Sequence, residues 1–214
     1  APGMLAEQRL RHGRIHFFQL PVGHPEVRAQ SGHHVGEPLA VAVLGVSSFQ
    51  LDPTEAFRPR VAVVLNITPD HLDRHGSLEG YVDAKARILA NQTEDDVAVL
   101  NVDDPLVAGL AKRTRAHVFA FARSRPQASG AWLEGDAVVL RDGRSGARAR
   151  VDLSPLALEG RHNRDNAAMA LAAAMALDLD LARASAALAT FRGLHHRSER
   201  GATLGGVRVV NGPA

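Results

Sequence analysis

The chain has 214 residues, which is enough for one well-packed domain or for one domain with an extension. A hydrophobic fraction of 45% excludes a disordered protein, and the absence of cysteine excludes disulfides and thiolate metal sites. The net charge is only +2 with the arginines scattered, which argues against a nucleic-acid surface, and no apolar run is long enough to span a bilayer. We therefore expect a cytoplasmic protein that binds neither nucleic acid nor membrane.

Strands and helices are predicted to alternate through the first half of the chain. Residues 1–38 show no persistent period and are expected to be irregular. Beyond them, continuous apolar runs predict buried strands, with helical patterns between the later ones. The predicted strands are 39–46, 61–67, 96–102 and 117–121, and the predicted helices are 78–91 and 104–113. This alternation is typical of an α/β fold with a largely parallel sheet flanked by helices.

The second half of the chain has a different pattern. Residues 131–154 predict short antiparallel strands, with Asp142 and Gly143 forming a turn. Residues 162–177 form the strongest predicted helix by propensity, and a second helix is predicted over 181–191. The glycine- and arginine-rich tail contains one short predicted strand, VRVV. We therefore expect a small antiparallel β subsection beside the parallel sheet.

Lys85 lies on the apolar side of the helix predicted over 78–91. The apolar residues at helical spacing around it are Leu78, Tyr81, Val82, Ile88 and Leu89. Burying an ammonium group is costly unless it is paired or loses its proton. Two interpretations stay open. Either the stem packs while the charged head reaches water, or Lys85 is a functional lysine in a cleft.

The segment NITPDHLDRHGS, residues 66–77, runs from the end of a strand to the start of a helix. Ligands of open α/β sheets bind outside the carboxyl ends of strands, so Asp70 and His71 are candidate site residues. Ser77 is a plausible N-cap of the following helix. The alternative is that His71 is a solvated loop histidine and that Asp70 serves a turn.

The longer segment LNITPDHLDRHGSLEGYVDAKARIL, residues 65–89, resembles the central-domain signature of the Mur ligases. These are the ATP-dependent amide-forming enzymes of peptidoglycan synthesis, and folylpolyglutamate synthases share a looser version. The resemblance implies that Lys85 is carbamylated and that the carbamate helps to bind Mg²⁺. It also implies that His71 is a ligand of a second Mg²⁺, so both residues are predicted to be catalytic. A carbamate offers anionic oxygen, which suits this hard cation.

Four further segments resemble segments of the same family and occur in the same order along the chain. They are SGHHVGEPL (31–39), VSSFQLD (46–52), LEGRHNRDNAAMALAAA (158–174) and FRGLHHRSERGATLGGVRVVNGPA (191–214). The second is typical of the branch that adds D-glutamate to UDP-N-acetylmuramoyl-L-alanine. The resemblance implies that Ser47 and His34 lie near the substrate. The resemblance also predicts a central ATP-binding domain at 31–192, and at 193–214 a linker and the start of a C-terminal domain. Residues 1–30 do not match the family and are expected to be an irregular N-terminal segment.

Nucleotide contacts are predicted at the start of the helix over 162–177. Asn163 and Asn166 lie three residues apart, so they share one face, and their amides can both donate and accept as an adenine edge requires. Without the family, it is equally plausible that either asparagine caps the helix. The resemblance adds His196 and Arg197 as ATP contacts, although an arginine such as Arg197 is otherwise more often an exposed surface residue.

Several positions depart from the family pattern. Residues 1–38 contain no match to the phosphate-binding loop, Gly45 replaces a glutamate, His34 replaces an asparagine and Gly212 replaces an aspartate. We expect the family to use ATP and Mg²⁺ to form an acyl phosphate that D-glutamate attacks, and we expect this monomeric chain alone to be inactive. A non-catalytic nucleotide-binding remnant and a folylpolyglutamate-type ligase are the alternatives.

Overall fold

A computed structural model describes residues 17–19, 29–30, 43–69, 72–158, 160–191, 199–204 and 207–211. The chain divides into two compact units, residues 1–55 and residues 56–214. The predicted domain boundaries at 30 and 192 stay predictions.

The first unit contains a three-stranded sheet and a short helix. Strand β1 (Phe17–Gln19) lies between β2 (Ala29–Gln30), which is antiparallel to it, and β3 (Val43–Gly45), which is parallel. Helix α1 covers Ser48–Leu51. The expectation that residues 1–38 are irregular is therefore wrong at β1 and β2.

The buried strand predicted over 39–46 needs a correction. The described part of it forms a strand only over Val43–Gly45. Val43 and Leu44 are 50% and 40% exposed, so the strand is not buried. An apolar run predicts extended backbone, but it cannot tell whether a second layer covers the strand.

The second unit is built on a six-stranded sheet whose strand order follows the sequence. The first four strands are parallel, and the last two add an antiparallel section. This confirms the predicted fold class, a largely parallel α/β sheet with a small antiparallel subsection. The strands are β4 (Val61–Val64), β5 (Val97–Asn101), β6 (His117–Phe121), β7 (Gly130–Glu134), β8 (Ala137–Arg141) and β9 (Arg148–Asp152).

The four predicted helices are confirmed in place: α3, α4 and α6 are shorter than predicted, and α5 is shifted by one residue. Helix α3 begins after the Ser77 cap, α4 after Asp104 with Pro105 in its first turn, and α6 after the Asp180 cap. Helices α3 and α4 each run on into a 3₁₀ turn. The helices are α2 (Leu72–His75), α3 (Leu78–Ala86), α4 (Pro105–Leu110), α5 (Arg161–Ala176) and α6 (Leu181–Thr190).

Helices cover both faces of the sheet, as the continuous apolar strands predict. Side chains alternate between the two faces along β5. Val97 and Val99 join the core on the face of α5, whereas Ala98 and Leu100 join the core on the face of α3 and α4. Each face therefore has its own hydrophobic cluster.

The antiparallel section contains two short connections. Strands β7 and β8 are joined by two residues, Gly135 and Asp136. Strands β8 and β9 are joined by residues 142–147, a longer connection that begins with the predicted turn residues Asp142 and Gly143. A separate two-stranded antiparallel sheet pairs β10 (Glu199–Leu204) with β11 (Val207–Asn211), and β11 contains the predicted strand VRVV.

Candidate functional site

The segments that follow three neighbouring parallel strands meet at one edge of the main sheet. After β4 and β5, Asn101 Nδ2 donates to the Leu65 carbonyl oxygen at 2.9 Å. After β6, the Arg123 backbone N–H donates to Asp103 Oδ2 at 2.7 Å. Ligands of open parallel sheets bind outside the carboxyl ends of the strands, so this edge is the expected place for a site.

Asp104 holds the segment that leaves β4. Its Oδ1 accepts two first-turn N–H groups of α4 at 2.9 and 3.1 Å, and its Oδ2 accepts the Ile67 N–H at 2.9 Å. Ile67 is only 3% exposed, so its N–H has little access to water. One carboxylate therefore fixes both the start of α4 and the path of the chain towards His71.

Lys85 lies in the last turn of α3 and is half-buried. Its Nζ lies 5.1 Å from the centre of the Tyr81 ring, within the range of a cation–π contact. Tyr81 is buried, and the His75 ring packs on it with 5.3 Å between ring centres. The apolar stripe predicted for this helix is confirmed at Tyr81 and Leu89, which join one core cluster.

The ammonium form of Lys85 has no lone pair to offer a metal ion. The carbamate form would present oxygen, the ligand that Mg²⁺ prefers. Within the part of the chain that the structure describes, no group of three or more acidic or histidine residues is arranged to hold a metal ion. His71, the other predicted magnesium ligand, lies outside the described residues.

The first two turns of helix α5 carry both predicted asparagines. Gly160 precedes the helix with a φ of +103°, a conformation that favours glycine. Because the helix begins at Arg161, neither Asn163 nor Asn166 occupies the N-cap position. The alternative that one of them caps the helix is therefore wrong. Asn163 is half-buried, and Asn166 is exposed.

Two ion pairs fasten the start of α5 to the sheet. Arg123, which follows β6, donates through Nε to Asp165 Oδ1 at 3.1 Å and through Nη2 to the other carboxylate oxygen. Arg164 lies 2.6 Å from Asp136 in the β7–β8 turn. The start of α5 therefore lies at the edge of the sheet formed by the carboxyl ends of its parallel strands.

Ser47 occupies the N-cap of α1. Its backbone N–H donates to Gln50 Oε1 at 2.8 Å, and its hydroxyl accepts the Gln50 N–H at 3.3 Å, which completes a capping box. This structural role could have been predicted from the segment SSFQ, residues 47–50, in which serine and glutamine have the spacing of a capping box. The predicted role of Ser47 near the substrate stays a prediction.

Four other predicted site residues lie outside the described residues, as do Asp70 and Gly212. They are His34, His71, His196 and Arg197. Gly45, where the family pattern has a glutamate, ends β3.

Sequence reasoning missed the residues that organise this edge. For Asp104, a signal existed, because an aspartate before a proline is a common helix start. For Arg123 and Asp165, which lie 42 residues apart, no local pattern exists.

Comparison with known proteins identifies relatives over most of the chain. Residues 27–174 match the Mur ligase middle domain. A UDP-N-acetylmuramoylalanine–D-glutamate ligase from Geotalea daltonii is 44% identical over 172 residues, which are 80% of this chain and 38% of the relative. The ligase of the same name from Caldanaerobacter subterraneus is 33% identical over 97% of this chain and 44% of the relative. The chain thus spans less than half the length of these curated relatives.

Solved structures share the fold. The UDP-N-acetylmuramate–alanine ligase MurC from Thermotoga maritima matches with a TM-score of 0.57 and 23% identity over 83% of this chain and 39% of that structure. A pseudomurein peptide ligase type C from Methanothermus fervidus matches with a TM-score of 0.56 and 21% identity over 81% of this chain and 42% of that structure. None of the helices in the described parts of the chain combines the length and apolarity that a membrane span requires.

Proposed function

Because this chain belongs to the Mur ligase family, we propose that it provides the central, ATP-binding part of a ligase that adds D-glutamate to UDP-N-acetylmuramoyl-L-alanine. The reaction belongs to peptidoglycan synthesis. ATP phosphorylates the substrate carboxylate, and the amine of D-glutamate attacks the resulting acyl phosphate to give an amide, ADP and phosphate. The relatives named UDP-N-acetylmuramoylalanine–D-glutamate ligase support this choice of substrates. A cytoplasmic location and a monomeric state are part of the proposal.

One observation carries this proposal. The start of α5, which bears Asn163 and Asn166, is fastened by Arg123 to the edge of the sheet where the segments after β4 and β5 also meet. An adenine held by the two amides would therefore lie at the edge where parallel sheets bind nucleotides. A helix N-terminus favours anions, which suits the phosphates of ATP.

The remaining roles follow the family motifs. His196 and Arg197 would contact ATP, and Ser47 and His34 would lie on the muramoyl side. Lys85, as a carbamate, and His71 would hold Mg²⁺. The bound cation would offset the repulsion between the substrate carboxylate and the γ-phosphate.

Calorimetry with Mg·ATP tests the nucleotide site on the 214-residue chain. We expect binding to the unmodified chain, and a loss of at least about fivefold in affinity for Asn163→Ala and for Asn166→Ala. Thr190→Ala, an exposed change at the end of α6, is the control and should bind as the unmodified chain does. Equal affinity of all four proteins would contradict the assigned adenine contacts.

A folded chain that binds no nucleotide would favour a second candidate, a non-catalytic remnant that has kept only the fold. The position at Gly45 supports this alternative, because glycine has no side chain with which to hold a metal ion. A far-ultraviolet spectrum of the same sample establishes whether the chain is folded.

A further inference from the structure

The two ion pairs at the start of α5 differ in their surroundings. The side chains of Arg123 and Asp165 are 31% and 13% exposed. Those of Arg164 and Asp136 are 30% and 70% exposed. A partly buried pair is screened less by salt and water than an exposed one, so the two contacts do not constrain the helix equally.

Arg123 is itself held in place by its main chain. Its N–H donates to Asp103 Oδ2 at 2.7 Å, and its carbonyl oxygen accepts the Leu133 N–H of β7 at 2.9 Å. The guanidinium group then meets the Asp165 carboxylate with two donors, as a planar fork. Asp165 is thus tied to a fixed point of the sheet.

A fixed Asp165 also fixes the rotation of α5 about its axis. At about 100° per residue, Asn166 lies about 100° from Asp165 in one sense and Asn163 about 160° from it in the other, so the two asparagines lie about 60° apart on one side of the helix. A rotation of the start of α5 would move both amides together. If both amides are free to rotate, nucleotide binding must fix them against one edge of the adenine base. This loss of conformational freedom lowers the affinity for the nucleotide.

We propose that the Arg123–Asp165 ion pair is a positioning device that sets Asn163 and Asn166 for nucleotide binding. Neither charged residue touches the nucleotide. The inference rests on the proposed function of the two asparagines, and adds to it the residues that orient them.

Calorimetry with Mg·ATP on the 214-residue chain tests the proposal. We expect Asp165→Asn and Arg123→Gln each to raise the Kd about five- to tenfold. The double variant should be no weaker than either single variant, because both remove the same contact. Asp136→Asn is the matched control, since it breaks the ion pair of the adjacent residue Arg164 in the same turn, and its Kd should change less than twofold.

A charge swap separates positioning from stability. The variant with Arg123→Asp and Asp165→Arg restores an ion pair, and its Kd should return to within about threefold of the original value. Equal Kd values for Asp165→Asn and Asp136→Asn, or a swap no better than the single variants, would overturn the proposal.

Hydrogen exchange separates this proposal from the proposed function. If the unmodified chain binds no Mg·ATP, the assigned function of the asparagines fails. The positioning claim still predicts faster amide exchange over residues 164–168 in Asp165→Asn than in Asp136→Asn. Equal exchange in these two variants would overturn it, whatever the outcome of nucleotide binding.

Discussion

Lys85 is the residue on which the proposed metal chemistry depends. Its carbamylation can be tested directly, because the chain has few lysines. Only one other lysine, Lys112, occurs in the sequence, and it is exposed. In ¹³CO₂-enriched buffer we expect a carbamate carbon signal that disappears in Lys85→Arg and persists in Lys112→Arg. The reaction adds the amine nitrogen to CO₂ and turns a cationic side chain into an anionic one.

Any carbamate signal common to both lysine variants belongs to the N-terminal amine. If no carbamate signal is lost specifically in Lys85→Arg, carbamylation at this position is contradicted. The proposed ligand set for Mg²⁺ would then lose its anionic member.

Gly130 is required where β7 comes close to β6. Its φ is +150°, and a Cβ atom there would lie 1.8 Å from the Ala120 carbonyl oxygen. We expect Gly130→Ala to lower the free energy of unfolding by about 3 kcal/mol or more, measured in urea.

Gly109 provides the control for this substitution. It lies in α4, where an added Cβ would meet nothing within 4 Å. Gly109→Ala should raise the free energy of unfolding by about 0.5–1 kcal/mol, because alanine is the better helix former. A loss of stability in both variants would contradict the steric argument for Gly130.

His117 lies in a polar cluster at the start of β6. Its Nε2 is 2.7 Å from Ser129 Oγ and 3.6 Å from Asp142 Oδ1. Burial lowers the pKa of His117, and the charge of Arg144 lowers it further, against an opposing effect from Asp142. The neutral imidazole is therefore the form that the fold favours.

The free energy of unfolding should fall as the pH drops below about 6.5, the ordinary pKa of histidine. Between the lowered pKa of His117 and this value, the unfolded chain binds a proton that the folded chain does not, so stability rises with pH there. Urea unfolding between pH 5 and pH 7.5 measures this slope. His117→Gln, which keeps an acceptor but cannot titrate, should reduce the slope; an unchanged slope would contradict the assignment.

At the scale of elements, two helix caps differ by a single contact. Asp104 and Asp180 each accept two first-turn N–H groups, of α4 and α6 respectively. Asp104 alone of the two also accepts the Ile67 N–H, at 2.9 Å. The difference isolates the contact that holds the segment after β4.

Replacing each cap by alanine should lower the free energy of unfolding by about 1 kcal/mol for the lost cap. Asp104→Ala should cost about 1–3 kcal/mol more than Asp180→Ala, because the buried Ile67 N–H then lacks its partner. Urea unfolding compares the two variants. Equal losses would show that Asp104 acts only as a helix cap.

The loop after β5 makes hydrogen bonds that fix its neighbouring segments at the carboxyl ends of the parallel strands. Asn101 ends β5, Asp103 and Asp104 follow within three residues, and these side chains reach the neighbouring segments on both sides. The loop after β5 thus braces both the segment that leads to His71 and the loop that leads to Arg123. We expect changes in this loop to affect both parts of the proposed site.

At the scale of the whole molecule, the activity that we expect depends on whether the chain contains a phosphate-binding loop. Neither lysine of the chain follows a glycine, so the 214 residues contain no loop of the form G-x-x-G-K-[ST]. We expect the isolated chain to release no phosphate above background from ATP with UDP-N-acetylmuramoyl-L-alanine and D-glutamate. A coupled assay that showed turnover dependent on D-glutamate would contradict this.

Local sequence pattern was sufficient for most of the second unit. The apolar runs of β5 and β6 and the helical spacing of α3 to α6 report on burial, because each element must hide its own apolar side. In β4 the predicted burial holds only in part, since Val63 is 37% exposed. The Lys85 stripe was predicted in the same way. The exposed strand β3 was not, because its burial depends on what lies over it and not on its own residues.

The motifs at Lys85, Asn163 and Asn166 were recognisable in the sequence, because the chemistry of a family is preserved in short segments. The partners that orient those motifs were not. Arg123 meets Asp165, and Asn101 meets Leu65, only because β4, β5 and β6 lie side by side and end at one edge. Strand order is a long-range property of the folded chain, and an arginine in a loop can pair with any nearby carboxylate, so the choice of partner needed the tertiary structure.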